Sequence, residues 1–311
     1  MSKKILITGS DGFIGKNLKV YFENYTKNTV LSPSLKKLDL CKHEDVAVYL
    51  KKTKPDIIIH SASTLMVNKG YPDTVCEDNL RMFFNLYEKK EKKTKLINLG
   101  SGSEYSRAYW KRNMKEEYFG KYIPIDSHSY SKYIISKFIE NKKSEDLLNL
   151  RIFGIYGEYE DYRYKFISNC IAKNILNLPI IINQNCKFDY IYVKDFCKIC
   201  EKLITKSHKF KTYNVTPNTS IELKKIAEII NKISKKNLEV KVLNQGIGTY
   251  YTGDNKRLKA ILPDFEFTSY FDGIKDVYEK IDNTKKKLNI NELQKDVFLT
   301  YAKKNKERYF K

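Results

Sequence analysis

Ile5-Leu6-Ile7-Thr8-Gly9-Ser10-Asp11-Gly12-Phe13-Ile14-Gly15 sets the architecture: a short apolar run enters a glycine-rich turn, and Lys16 to Phe22 continues at helical spacing. Strand, G-x-x-G-x-x-G turn and helix, in that order, bring backbone N–H groups and the positive end of a helix to one point, where a pyrophosphate sits. The glycine spacing alone is a weak signal, but its position between strand and helix is the context of a dinucleotide-binding turn. Gly9, Ser10, Asp11, Gly12, Phe13, Ile14 and Gly15 are therefore candidate cofactor residues. The second strand-like run, Val30-Leu31, is followed by 31–37, Leu-Ser-Pro-Ser-Leu-Lys-Lys, which holds no carboxylate to accept from a ribose 2′-hydroxyl. Hydroxyls and a cation at Ser32, Ser34 and Lys36 suit a 2′-phosphate better, with Asp39 and Leu40 facing the adenine. NADPH is the expected cofactor, with NAD or NADH as the alternative.

On the C-terminal side the alternation continues: Val46 to Leu50, Ile57-Ile58-Ile59, Leu80 to Leu86, then Leu96-Ile97-Asn98-Leu99. Strands of three to five apolar residues separated by helical periods are repeated βαβ units of a parallel sheet. The expected class is α/β, a Rossmann-type doubly wound parallel sheet with a smaller mixed α/β substrate-binding lobe. The dinucleotide domain is drawn at 1–153 plus about 188–212, including the run Tyr190-Ile191-Tyr192-Val193. The lobe is drawn at about 154–187 plus 213–311, with one clear amphipathic helix at 221–233 and a Lys-rich tail from about Asp282 as a surface helix or frayed end.

The 311 residues, 41% of them hydrophobic, exclude a core-poor or disordered chain. Lys+Arg 58 against Asp+Glu 37 gives +21, but the lysines are dispersed and mixed with Glu and Asn, so they describe a solvated surface and not a nucleic-acid face. No stretch approaches eighteen apolar residues, and the first residues run directly into a strand, so neither a membrane span nor a signal h-region is expected and the cytoplasm is the expected compartment. Six scattered cysteines imply reduced thiols, with the C-x-x-C of Cys197 and Cys200 packed in a helix; no metal site is expected.

Further motifs follow in order: His60-Ser61-Ala62-Ser63 after an apolar strand, Asn79 in a helix, Leu150-Arg151-Ile152-Phe153-Gly154-Ile155-Tyr156-Gly157, Phe188-Asp189-Tyr190-Ile191-Tyr192-Val193-Lys194-Asp195, and Tyr213-Asn214-Val215. With the glycine turn they resemble the extended short-chain dehydrogenases/reductases (the NAD-dependent epimerase/dehydratase family) that modify nucleotide-activated sugars, over nearly the whole chain. The resemblance is greatest to nucleotide-sugar 4-ketoreductases of the GDP-fucose-synthase-like type. It implies that Ser61, Ala62 and Ser63 contact the cofactor, that a nucleotide-diphosphate sugar is the substrate, and that the protein is a homodimer through helices around 80–89 and 133–142.

The resemblance also implies a Ser, Tyr and Lys catalytic set, in which the ammonium lowers the phenol pKa and the serine holds the reacting oxygen. Asn98-Leu99-Gly100-Ser101-Gly102-Ser103-Glu104-Tyr105 resembles the serine strand and puts the hydroxyl on Ser101. The tyrosine has two registers. Tyr133 and Lys137 form a Y-x-x-x-K, but the family's proline falls at Pro124, which points to position 128, and 151 minus 128 is 23 where 151 minus 133 is only 18. The favoured frame is His128-Ser129-Tyr130-Ser131-Lys132, with histidine in the tyrosine's place and Lys132 also touching the cofactor. Five residues rotate a helix face by roughly 140°, so the two pairs do not share a face. With an ordinary pKa of about 6.5, histidine could serve as acid, although a neighbouring ammonium would depress it. Tyr130 or Tyr133 taking over, or weakened activity, are the rival accounts.

Gly102 and Ser103 stand where sugar dehydratases carry Asp-Glu, and Ser103 stands where fucose-synthase-like enzymes carry cysteine, which leaves hydride transfer alone. The expected reaction is NADPH-dependent reduction of a nucleotide-linked 4-keto (6-deoxy) sugar at C4, GDP-linked hexose or heptose favoured, for surface polysaccharide. The alternatives are a 4-epimerase or 4-dehydrogenase with tightly bound NAD, and a cofactor-sensing or scaffold protein. The family's asparagine in L-R-x-x-N is Gly154 here. Ser103, Glu104, Tyr105, Tyr156, Lys165, Phe166 and Asn169 are the candidate substrate contacts, and the segment 106–122 with Tyr109, Trp110 and Arg112 is expected to line the sugar pocket.

Overall fold

The computed structural model describes residues 2–309 apart from 65 and 67–69, and only the backbone at 301 and 305–309. Six parallel strands form the main sheet: β1 (Lys4–Thr8), β2 (Thr29–Leu31), β3 (Ile57–His60), β4 (Lys95–Ser101), β5 (Leu147–Ile152) and, last in it, β9 (Thr212–Val215), in the order β2-β1-β3-β4-β5-β9. Side chains alternate between its faces, as the strand period of two requires. Ile5, Ile7, Ile57, Ile59, Ile97, Leu99, Leu148 and Leu150 enter one core, while Leu6, Ile58, Leu96 and Leu147 enter the other. Both faces are covered, which is why these strands are near-continuous apolar runs.

On one face lie α1 (Phe13–Tyr25) and α6 (Val193–Ile204); on the other lie α2 (His43–Thr53), α3 (Val75–Lys89) and α4 (Ser127–Asn141). β6 (Gly154–Tyr156) and β8 (Tyr190–Tyr192) form a separate parallel pair, so the run at 190–193 is a strand outside the main sheet. The second lobe holds α5 (Phe166–Ile175), β7 (Ile180–Phe188), β10 (Ile221–Glu222), α7 (Leu223–Ser234), β11 (Val240–Tyr251), α9 (Tyr270–Asn283), α10 (Ile290–Gln294) and α11 (Val297–Tyr309), with sheet order β10-β7-β11. Its core joins Phe166, Ile167 and Ile171 of α5 to Ile226 and Ile230 of α7 and Ile274 and Val277 of α9.

Three details differ from the sequence expectations. Tyr213-Asn214-Val215 lies in the main sheet, paired with β5, and does not open the lobe. Short α8 (Lys256–Ile261) returns to the first domain, where Leu258 and Leu262 join the core beneath β9. The lysine-rich tail docks: Leu293 is buried, Phe298 packs on the lobe core, and Lys173 pairs with Asp296 at 2.5 Å. Its few apolar residues anchor it, a signal that the surrounding lysines dilute. Cys197 and Cys200 are both buried in the α6 core as thiols.

Candidate active site

β1 runs to one side to meet β2 and the chain crosses back to β3, so a crevice opens at the carboxyl ends of β1 and β3. The glycine turn fills its floor. Gly9 has φ +65°, and a Cβ on it would lie 2.7 Å from the Cα of Ala62. A Cβ on Gly15 would lie 2.2 Å from the Gly9 carbonyl oxygen, so strand end and helix start touch backbone to backbone. Helix α1 opens with no side-chain cap and no acidic residue in its first turn. Its first N–H groups remain available to an anion, and the residues present fit a dinucleotide pyrophosphate.

The second wall is tied to this floor. Ser61 Oγ donates to the Thr8 carbonyl at 2.6 Å, and buried His60 shares a 2.9 Å hydrogen bond with Thr8 Oγ1. Burial, then the nearby Lys132 ammonium, push the His60 imidazole down to about 3, so it is a neutral structural group. Asn79, buried on α3, accepts from the Thr64 N–H at 2.9 Å and the Ser63 hydroxyl at 3.3 Å, and donates to Ser131 Oγ at 3.0 Å. That amide couples the 61–64 loop to α4. On the ribose side, Ser32 and Ser34 are half-buried and Lys36 is exposed, while Asp39 accepts from the Cys41 N–H at 3.0 Å.

Helix α4 starts at Asp126, whose side chain caps the Ser129 N–H at 2.9 Å. Its inward face carries Ser129, Ser131, Lys132, Ile135 and Ser136. Lys132 is 8% exposed, and its Nζ donates to the Leu99 carbonyl at 3.0 Å, two residues before Ser101 on β4. Burial pushes this ammonium down to about 8, against the opposing pull of Glu104. One turn earlier, His128 stacks on Tyr71 at 4.3 Å and 5°. Its buried Nδ1 has no hydrogen-bond partner among the described residues. Burial first, then Lys132 and Arg107, push its pKa down to about 3, opposed by Asp126. That direction agrees with the depression expected from a neighbouring ammonium, and it favours the neutral imidazole.

The other register points elsewhere. Tyr133 packs on Phe119 at 5.0 Å and, with Lys137, Phe84, Ile134 and Phe138, lines a shallow groove of about 480 Å³ between α3 and α4. That groove lies on the helix face opposite Lys132, as the rotation of five residues requires.

Ser101 ends β4 with its N–H on Glu104 Oε1 at 2.8 Å and its hydroxyl accepting the Ser103 N–H at 3.1 Å. Glu104 and Arg151 are both completely buried and meet at 2.7 Å. Arg151 also donates to Tyr105 Oη at 2.6 Å and Ser136 Oγ at 3.0 Å, and Tyr105 donates to Asn214 Oδ1 at 2.8 Å. Glu104 and Tyr105 therefore hold the β4 terminus to β5, α4 and β9. Ser103 is likewise fully buried, and Tyr156 and Phe166 lie in the lobe core. Asn169 is buried with its amide on the Tyr162 carbonyl, and Leu40 packs in the sheet core. Among the expected substrate contacts Lys165 alone is exposed, and its charge is felt at His128. Phe13 packs partly on the lobe core and Ile14 partly on the sheet core.

Sequence reading missed Tyr251. Its hydroxyl lies 3.5 Å from Ser101 Oγ, its ring stacks on Trp110 at 4.0 Å, and a Cβ on Gly102 would lie 2.8 Å from its Cε2. The glycine at 102 was the only signal, since it leaves room for a ring from elsewhere. Gly154 is explained in the same way: a Cβ there would lie 2.6 Å from the Tyr190 ring. In the segment 106–122, Tyr109 stacks on Tyr122 at the surface.

Among the described residues no helix is long and apolar enough to cross a membrane, and no cluster of His, Cys, Asp or Glu is placed to hold a metal. The chain is 24% identical over 292 residues to the GDP-6-deoxy-D-talose 4-dehydrogenase of Aggregatibacter actinomycetemcomitans, covering 89% of this chain and 97% of that protein. Its fold resembles a GDP-mannoheptose C4 reductase from Campylobacter jejuni with NADP bound (TM-score 0.74, 17% identity, 89% and 98% of the two chains). It also resembles a GDP-L-fucose synthetase from Naegleria fowleri (TM-score 0.78, 14% identity, 93% and 96%). Residues 5–216 match the NAD dependent epimerase/dehydratase family, and with that match, the glycine turn and the β1/β3 crevice, the chain belongs to that family.

Proposed function

We propose that the protein reduces a nucleotide-linked 4-keto sugar at C4 with NADPH, a GDP-linked hexose or heptose being the favoured substrate. The observation that carries this reading is the convergence on one crevice of the uncapped α1 terminus, the Ser101 hydroxyl at the end of β4, and the buried Lys132 ammonium 3.0 Å from the Leu99 carbonyl. A reduced nicotinamide, if bound there, would supply hydride to the sugar carbonyl carbon. The hydroxyls and the lysine after β2 suit the 2′-phosphate of NADP, with NAD the second candidate. In the cytoplasm such an enzyme would serve surface-polysaccharide sugar synthesis, as a homodimer through the α3/α4 groove.

Ser101 holds the ketone oxygen by donating a hydrogen bond to it. The proton that completes the alcohol comes from Lys132, whose lowered pKa places its ammonium near the operating range of a general acid. Neutral His128, in the position of the family's tyrosine, passes that proton on: one ring nitrogen takes it as the other releases one to the alkoxide. Lys165, exposed near His128, faces the substrate diphosphate. Two steric facts argue against dehydration and carbon epimerisation. An aspartate at 102 has no room, since the Phe153 and Tyr251 rings occupy its Cβ position at 2.6 and 2.8 Å, and Ser103 is sealed from the crevice.

The test is oxidation of NADPH and NADH, followed at the reduced-nicotinamide absorbance, with a panel of GDP- and dTDP-linked 4-keto sugars. Oxidation with one of them is expected and names the nucleotide. Cofactor binding with no oxidation by any of them would refute the reductase. It would leave a 4-epimerase or 4-dehydrogenase holding NAD, or a cofactor sensor, separated by whether NAD is released on denaturation.

A further inference from the structure

We propose that Tyr251 is a positioning residue that fixes Ser101 as a hydrogen-bond donor toward the sugar carbonyl. The proposal rests on the reading above, in which Ser101 holds that oxygen. A serine hydroxyl has one proton and two acceptor lone pairs. One lone pair of Ser101 takes the Ser103 N–H at 3.1 Å. The Tyr251 hydroxyl, 3.5 Å away, is placed to fill the second. With both lone pairs occupied, the Ser101 proton has no direction left but the crevice, which is the orientation that binds a ketone.

The direction of donation follows from acidity, since a phenol is a stronger donor than an aliphatic hydroxyl. Burial pushes the Tyr251 pKa up, so the phenol keeps its proton through the working pH range. Its ring is held on several sides, by Trp110 at 4.0 Å, Phe153 at 5.0 Å and the edge of Phe188 at 5.6 Å. The open side at Gly102 lets it reach β4 at all. At 3.5 Å the contact is longer than the roughly 2.7 Å of a well-made O–H···O bond, and such bonds commonly tighten when substrate is bound.

Tyr251→Phe keeps the stacked ring and removes only the oxygen. With GDP-4-keto-6-deoxymannose and NADPH as probes, kcat is expected to fall about 10-fold with KM within about 2-fold, the pattern of a lost transition-state interaction. Added to Ser101→Ala, the same change is expected to cost nothing more. A second readout needs no turnover: the infrared stretch of a 13C-labelled 4-keto group bound to cofactor-free protein should move in Tyr251→Phe toward its value in Ser101→Ala. A wild-type rate and band in Tyr251→Phe, or an equal further loss on top of Ser101→Ala, would overturn the proposal while leaving the reductase intact. A wild-type protein that reduces no 4-keto sugar removes the reading and the proposal with it.

Discussion

Glu104→Gln tests the frame behind the site. The carboxylate and the Arg151 guanidinium are both fully buried at 2.7 Å, and the carboxylate also receives the Ser101 N–H at 2.8 Å and the Asn149 amide at 3.3 Å. Glutamine is nearly isosteric and keeps one acceptor oxygen for Ser101, but it turns an N–H toward the Arg151 Nε–H and leaves the buried guanidinium with only the more distant Glu140 carboxylate, at 3.6 Å, as counter-charge. Breaking a buried pair in this way costs about 3–5 kcal/mol, against about 0–1 kcal/mol for an exposed one. At about 2 °C per kcal/mol, the low end for a chain of this length, Tm should fall by roughly 6–10 °C. Urea unfolding followed by circular dichroism should give the same loss in free energy. Arg151→Met should cost a similar amount, and Glu104→Gln with Arg151→Met less than the sum by at least about 2 kcal/mol, because the second change removes the charge that the first one stranded. A loss below about 1 kcal/mol for Glu104→Gln, or additive losses, would refute a desolvated pair that holds Ser101 in place.

Lys132 should impose two pH dependences. Reduction needs its proton, so kcat/KM should fall as pH rises through about 8, with no limb between 5 and 7 from His128, whose imidazole is already neutral; a limb near 6.5 that disappears in His128→Ala would refute this. Its folded pKa lies below the ordinary 10.5, so between about 8 and 10.5 the unfolded chain holds the extra proton and stability rises with pH. The difference corresponds to at most about 3–4 kcal/mol, a slope that denaturation should show flattened in Lys132→Met. Gly15→Ala should abolish dinucleotide binding in calorimetry, since its methyl would lie 2.2 Å from the Gly9 carbonyl; tight binding would refute the cradle. His128→Ala should lower kcat at least about 10-fold and Tyr133→Phe less than about 2-fold, and the reverse order would place catalysis in the other register.

Local rules explain what was legible from residues alone. The glycine turn between Thr8 and Phe13, the apolar strands with their period of two, and the helical spacing of Lys132 after His128 are set by neighbours within a few positions. They suffice for the parallel sheet and the dinucleotide crevice. The motif order extended that reading to Ser101 and to the family.

Tertiary structure decided what depends on partners distant in the chain. Glu104 and Tyr105 follow Ser101 directly and look available to a substrate, yet Arg151 and Asn214 draw them inside, because a buried guanidinium needs its counter-charge. His128 has an ordinary imidazole in isolation; burial, with Arg107 and Lys165 brought up beside the neighbouring Lys132, pushes its pKa down. Tyr251 reaches Ser101 across 150 positions, because the space above Gly102 is filled from the second lobe. Which side chain fills a gap is settled by packing and charge across the whole fold, and no spacing in the sequence carries that information.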